Sequence, residues 1–385
     1  MKSQRQGVFV GMSGGVDSSV SAALLKKAGY SVTGVFIKVW QPDWLTCTWR
    51  HERLEAMRAA AHLDIPFLTL DLESQYKKDV IDHMIAEYRA GRTPNPDVMC
   101  NRYVKFGAFA EWARKQGADY IATGHYARVE QSDRIRVASY KQDTRCNLLA
   151  GKDSNKDQSY FLWTLKQDDL KHILFPVGHL TKPEVRRLAK KFGLPNADKK
   201  DSQGLCFIGK IDVKEFLAHY IQAEPGNVLN QAGETIGTHQ GALFFTIGER
   251  HGFRIDRQHH TSSDQPYYVV DKDVEQNTIT VSNKRAGHLQ ISSQRHVQIS
   301  SVNWVGGEAV TYNNIDPTAT DSCTYGARSR YRQPLQAIRS IVPGISGTWI
   351  EFVDPQDTLT PGQSLVIYRG DECVAGGIIS EVRPS

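Results

Sequence analysis

A chain of 385 residues with 40% hydrophobic content can bury more than one core, and its length predicts two or three domains. Lys2 and Arg5 precede only a short apolar run, so no signal peptide is read; no stretch approaches a membrane span, and the expected compartment is the cytoplasm. The net charge of +5 is uneven: residues 1–209 hold 32 Lys and Arg against 23 Asp and Glu, residues 210–285 hold 8 against 10, and residues 286–385 hold 7 against 9. The basic excess thus sits in the first half, which fits an anionic macromolecular partner and equally the surface of a nucleotide enzyme.

The first predicted element is a strand at residues 8–10. It runs into Gly11-Met12-Ser13-Gly14-Gly15-Val16-Asp17-Ser18-Ser19 and then into a helical pattern over residues 18–28. Glycines let a backbone approach an anion, and the amides and dipole of a helix start favour negative charge, so this turn reads as a phosphate cradle. It has neither the Gly-Lys-Ser/Thr ending of a Walker loop nor a G-x-G-x-x-G. The remaining pattern, Ser-Gly-Gly-x-Asp-Ser, resembles the pyrophosphate loop of the ATP-pyrophosphatase family, which implies adenylation of a substrate with loss of pyrophosphate.

Further strands are predicted at residues 32–38, 67–70 and 120–123, alternating with helices at 53–63, 77–90 and 106–116. This alternation predicts an α/β fold, a doubly wound parallel sheet that takes its ligands at the carboxyl ends of the strands. Helical patterns follow at 162–170 and at 182–192, where Thr181 and Pro183 suit a helix start. After Pro225-Gly226 the helical period ends. Short alternating runs at 267–270, 278–282, 337–341, 348–352 and 364–368 predict β structure. The expected domains are a nucleotide-loop unit at 1–209, a small central β-rich unit at 210–283 and a C-terminal β-barrel or sandwich at 284–385.

Two loops carry cysteines in reactive contexts. In Gly91-Arg92-Thr93-Pro94-Asn95-Pro96-Asp97-Val98-Met99-Cys100-Asn101 the prolines stiffen the chain, and they predict Asn95 and Asp97 on extended backbone ahead of a helix starting near Lys105. Cys100 then lies close to a helix start and to Arg102 and Lys105, which lowers a thiol pKa; the alternative is a small buried hydrophobe. The second loop, Asp201-Ser202-Gln203-Gly204-Leu205-Cys206-Phe207-Ile208-Gly209, carries Cys206. Two loop cysteines beside an adenylating loop point to a thiol and a sulfur-carrying partner. Cys47, Cys146, Cys323 and Cys373 lack such settings and read as structural, and no cysteine spacing predicts a bound metal.

Taken together, these motifs resemble the tRNA-specific 2-thiouridylase family almost end to end. The match rests on Gly11 to Ser18, Gly91 to Asn101 with Lys105-Phe106, Ala122-Thr123-Gly124-His125-Tyr126, Lys156-Asp157-Gln158-Ser159-Tyr160-Phe161-Leu162 and Asp201 to Gly209. Phe245-Thr246-Ile247-Gly248, Ser329-Arg330-Tyr331-Arg332 and Pro361-Gly362-Gln363 extend it. Several motifs in one order are far stronger than any one.

The resemblance implies a C-terminal β-barrel and a catalytic first unit, whose adenine-nucleotide α-hydrolase-like sheet binds ATP, with Mg²⁺, through Gly11, Met12, Ser13, Gly14, Gly15, Val16, Asp17, Ser18, Ile37 and Gly124. It implies Cys206 as the persulfide carrier, Cys100 as the attacking or resolving thiol with an internal disulfide as by-product, and Asp97 as general acid or base. Asn95, Pro96 and Asp97 would meet the target base; His125, Lys156, Asp157, Gln158, Arg330, Tyr331 and Gln363 would contact tRNA. The implied partners are tRNAs reading Lys, Glu and Gln codons and a sulfur donor, either a persulfide relay protein or a cysteine desulfurase, acting on a monomer away from membranes. Ile37 departs from the family's usual methionine, and residues 44–55 match its pattern poorly. Two other readings are an amidating ligase of the same ATP-pyrophosphatase class, which needs no cysteine, and a non-catalytic RNA-binding module.

Overall fold

The computed structural model describes residues 5–134, 143–201, 213–256, 266–283, 294–313, 324–356 and 359–384; Cys206 and Cys323 lie outside them. The first half supplies seven strands: β1 (Gly7–Gly11), β2 (Ser31–Lys38), β3 (Phe67–Asp71), β4 (Tyr120–Ala122), β5 (Ala127–Arg134), β6 (Asp143–Ala150) and β7 (Ile173–Leu174). Five of them pair in parallel in the order β3-β2-β1-β4-β7. The order runs outward from β1 on one side and restarts with β4 on the other. The carboxyl ends of β1 and β4 therefore flank the crevice where doubly wound sheets take ligands.

Side-chain alternation explains the layering. Val32 and Phe36 of β2 join Val8 and Val10 of β1 in packing against α1 (Val16–Lys27) and α2 (Trp49–His62), while Val35 and Ile37 point to the opposite core. That second core is continuous with residues of the other two units, including Phe216, Phe244, Val366 and Tyr368.

Two helical segments differ from the sequence reading. The helix expected near Lys105 begins at Pro96 and runs through Pro96–Met99, a π-geometry stretch at Cys100–Ala108, and Phe109–Lys115. Pro96 suits the first helical position, where no N–H is needed, and Asn95 caps the helix by accepting from the Val98 amide at 3.3 Å. Asn95 is extended, but Asp97 lies in the first helical turn. Residues 162–170, expected as one helix, hold only a turn at Gln167–Leu170, because Asn303 Nδ2 donates to the carbonyls of Trp163 and Leu165 at 2.7 and 2.8 Å.

The central unit is a five-stranded sheet of β8 (Gly226–Leu229), β9 (Thr235–His239), β10 (Phe253–Ile255), β11 (Tyr268–Asp273) and β12 (Thr278–Ser282), ordered β10-β9-β8-β12-β11. The last unit contains β13 (Gln294–Trp304), β14 (Tyr312–Asn313), β15 (Tyr325–Arg328), β16 (Gln336–Gly344), β17 (Gly347–Gln356), β18 (Ser364–Arg369) and β19 (Glu372–Pro384). Pairing of β19 back onto β13 closes β13-β17-β16-β15-β18-β19 into a six-stranded barrel filled by Ile338, Ile341, Ile350, Phe352 and their neighbours. The β5–β6 hairpin, unforeseen in the sequence, leaves the parallel sheet and pairs with β19. No helix among the described residues is long and apolar enough to cross a membrane.

Barrel and catalytic unit meet on fully buried Trp163 and Tyr160. Trp163 Nε1 donates to Ser364 Oγ at 3.1 Å, and the Tyr160 hydroxyl lies 2.8 and 2.9 Å from the carbonyls of Ser329 and Ser364. Gly376 faces the same indole, and a Cβ there would fall 2.5 Å from Trp163 Cγ. Gly376→Ala is therefore expected to lower stability by ~1–3 kcal/mol, the cost of overpacking. A thermal melt matching that of the unsubstituted protein would show that this junction gives way freely.

Candidate active site

The loop after β1 is built for an anion. Gly14 takes φ +75°, and Gly15 stands at the N-cap of α1, where it makes no side-chain cap and leaves the amides of the first turn without one. Ser18 and Ser19 hold the turn by donating to the Gly15 carbonyl at 3.1 and 3.0 Å, and Ser13 is exposed at its tip. Met12 is buried and Val16 packs inward, so within Gly11 to Ser18 these two hold the loop from beneath. From β4, Gly124 presses on the same helix start, and a Cβ there would lie 2.7 Å from the Ser18 amide nitrogen and 2.9 Å from the Asp17 carbonyl carbon. Ile37 is buried near the carboxyl end of β2.

A charge cluster surrounds this loop. Lys182 Nζ lies 2.7 Å from Asp17 and 2.8 Å from Asp201, and Asp201 is also reached by Arg186 at 2.8 Å and by Lys156 at 2.6 Å. The Tyr126 hydroxyl donates to Asp17 at 2.8 Å. Asn196 Nδ2 donates to the Gly14 carbonyl at 2.9 Å, and Lys199 pairs with Glu55. The divergent 44–55 segment also reaches the loop, since a Cβ on Gly14 would lie 2.5 Å from the Glu52 carbonyl oxygen. Lys182, Arg186, Asn196 and Lys199 were not singled out from sequence. Lys182 sits at a helix start marked by the Thr181–Glu184 capping box, and nothing local signals a partner so distant in the chain.

The cysteine-bearing helix start is held by both other units. Gln363 Nε2 donates to the Thr93 carbonyl at 3.0 Å, the Thr93 amide donates to the Pro361 carbonyl at 3.2 Å, and Thr93 Oγ1 lies 3.3 Å from Thr246 Oγ1. Gly362 has φ +91°, and a Cβ on it would meet the Thr93 amide nitrogen at 2.8 Å. Cys100 is 1% exposed, and burial pushes its thiol up to about 11, with Lys105 opposing that rise and Asp97 adding to it. The expected lowering of this pKa is overturned because desolvation outweighs the nearby cation. Cys47, expected as a packed thiol, is exposed, whereas Cys146 and Cys373 are buried.

His125 is buried beside Phe106 and Phe175, and burial with the Lys105 charge holds its pKa well below the usual imidazole range. Its Nδ1 lies 2.7 Å from Thr123 Oγ1, and its Nε2 lies 3.5 Å from Lys105 Nζ. Asp157 is turned inward, pairing with Arg328 and accepting from the amides of Gly151 and Ser159 at 3.0 Å. Gln158 Oε1 accepts from the Tyr126 amide at 3.0 Å, and Arg330 donates to the Ile247 carbonyl at 2.7 Å. The Tyr331 ring packs 4.8 Å from Phe161, under the Arg332 guanidinium.

Three family models match the chain in succession: the tRNA methyl transferase HUP domain over residues 6–210, the tRNA methyl transferase PRC-barrel domain over 214–283, and the aminomethyltransferase beta-barrel domain over 294–379. The tRNA-specific 2-thiouridylase MnmA 2 of Geobacillus kaustophilus is 45% identical over 377 residues, spanning 97% of this chain and 95% of that protein. This chain belongs to the tRNA-specific 2-thiouridylase family. The tRNA-specific 2-thiouridylase MnmA of Streptococcus sanguinis is 42% identical over 374 residues, spanning 97% of this chain and 94% of that protein.

In this 2-thiouridylase family member, the glycine cradle and the uncapped first-turn amides of Val16 to Ser18 suit a polyphosphate. With its thiol at about 11, Cys100 is overwhelmingly protonated at pH 8, so iodoacetamide is expected to modify exposed Cys47 well before Cys100 in the free protein. The same shift makes stability fall from pH 9 toward 11, where the unfolded thiol ionises and the folded one does not. Mass mapping that finds Cys100 alkylated as fast as Cys47 would contradict its burial.

Proposed function

We propose that this protein is an ATP-dependent tRNA sulfurtransferase that replaces the C2 oxygen of the wobble uridine with sulfur in tRNAs for Lys, Glu and Gln. The observation that carries this reading is the bridge through Lys182, which joins Asp17 of the phosphate loop to Asp201, the residue opening the Cys206 segment. Activation and sulfur delivery thereby begin from one cluster. The relatives named tRNA-specific 2-thiouridylase, similar along 97% of the chain, support the same substrate.

The chemistry follows from the difficulty of expelling a carbonyl oxygen. The uracil C2 oxygen attacks the α-phosphorus of ATP and pyrophosphate leaves, while the amides of Gly14 to Ser18 stabilise the departing charge. Mg²⁺, when bound with the nucleotide, spreads that charge further. The terminal sulfur of a Cys206 persulfide then bonds to C2, AMP leaves with the former carbonyl oxygen, and the Cys100 thiolate attacks the inner sulfur. A Cys100–Cys206 disulfide results, and an external thiol must reduce it before the donor, a persulfide relay protein or a desulfurase, reloads Cys206. Asp97, in the first turn of the helix that bears Cys100, is the general acid or base. Asn95 and Pro96 flank the base, while Lys156, Tyr331 and Arg332 offer phosphate and stacking contacts to unstacked RNA. The protein acts as a cytoplasmic monomer built from a catalytic unit at 1–209, a central unit at 210–283 and a barrel at 284–385.

Cys100→Ser and Cys206→Ser are each expected to reduce 2-thiouridine formation on the order of a thousandfold while sparing tRNA-dependent pyrophosphate release. Asp97→Asn should lower the rate with little change in tRNA affinity. An amidating ligase would retain full activity in both cysteine variants, and an RNA-binding module would release no pyrophosphate. Unchanged 2-thiouridine in tRNA from cells lacking the protein would sink the assignment.

A further inference from the structure

We infer that Lys156, Lys182 and Arg186 form a phosphate-binding site beside the Ser13-to-Ser18 loop, held in the free protein by the carboxylate of Asp201, which an incoming phosphate displaces. Three cations converge on this one carboxylate at 2.6, 2.8 and 2.8 Å. Their side chains are only 29%, 13% and 28% exposed, so they are set into the crevice wall rather than ranged along the surface. Counting Asp17, which shares Lys182, and Asp153, which accepts from the Lys182 amide at 2.8 Å, the three cations meet three carboxylates, and the positive end of α1 tips the group toward an added anion. A phosphate carries more charge and more acceptor oxygens than the carboxylate it replaces, and the Arg186 guanidinium fits either one.

Burial would raise the Asp201 carboxyl, but Lys156 and Lys182 outweigh it and hold the group at about 2. Asp201 therefore stays ionised at any working pH, and a competing anion, not protonation, opens the site. A carboxylate 33% exposed beside a phosphate loop is open to such competition. This inference rests on reading Ser13 to Ser18 as a pyrophosphate clamp. The phosphate belongs either to the polyphosphate of a nucleotide or to an RNA backbone.

The test is calorimetric titration of the full chain, unsubstituted and Asp201→Asn, with inorganic pyrophosphate and separately with an anticodon stem-loop RNA at low salt. Asp201→Asn is expected to bind one probe about tenfold more tightly, with the gain fading as salt rises. Tighter pyrophosphate assigns the site to the nucleotide; a tighter stem-loop assigns it to RNA. If Asp201→Asn melts early, Arg186→Gln gives the second reading, because it should weaken the same probe several-fold. Equal or weaker binding of both probes by a stable Asp201→Asn, or an Arg186→Gln with unchanged affinity for both, overturns the inference. Failure of the unsubstituted chain to bind pyrophosphate at all would instead count against the clamp.

Discussion

The burial of Trp163 and Tyr160 under β18 and β19 fixes the barrel against the first unit. The Trp163 indole and the Tyr160 hydroxyl both bond to Ser364, and the hydroxyl also to Ser329, so sliding the barrel would strand buried donors. Arg328 and Asp157 add an ion pair across the same junction, with side chains 10% and 4% exposed. Breaking such a pair from one side leaves an uncompensated charge inside the protein, typically at a cost of about 3–5 kcal/mol. With that seam in place, Pro361 and Gln363 arrive at Thr93, so the chain leading to Cys100 is set by the barrel as much as by its own sheet. The Cys100 segment and the barrel are thereby one mechanical unit.

At the phosphate loop the governing effect is electrostatic. Gly15 makes no cap, so the amides at the start of α1 are not consumed by a side chain, and Gly124 allows β4 to approach within contact of that helix start. Asp17 would repel an incoming anion if unpaired. Lys182 neutralises it and carries the compensation on to Asp201. The cluster combines a site favourable to phosphate with a reserve of negative charge that keeps four buried or half-buried groups satisfied when phosphate is absent.

The parallel sheet was legible because its signals are local: apolar runs of strand length, helical periods between them, and a glycine turn in the gap. The β5–β6 hairpin was not, because its strands match the alternating pattern of surface chain and their partner, β19, lies more than two hundred residues on. The helix at Pro96 was misread because Pro94 and Pro96 were weighed as helix breakers, although a proline at the first helical position starts one. In Lys156 to Phe161, sequence located a segment that matters but gave no means of dividing its labour. The structure turns Asp157, Ser159 and Tyr160 into the seam and leaves Lys156 in the crevice. Lys182 and Arg186 were invisible as site residues because their role depends on a tertiary approach to Asp17 and Asp201.

The thiol of Cys100 shows how burial reverses the ionisation that its local sequence predicts. Helix start and neighbouring cations both lower a thiol pKa, yet at 1% exposure the loss of hydration prevails and the group is pushed up to about 11. The thiolate that the proposed reaction requires would therefore form only after its surroundings change, by admission of water or by a shift of the chain from Thr93 to Asp97. That chain is tied at Thr93 to the barrel and the central unit, the surfaces proposed to meet RNA. An RNA seated across these units bears directly on the tethers that keep Cys100 protonated. The same burial shields the protonated thiol from oxidants in the free protein.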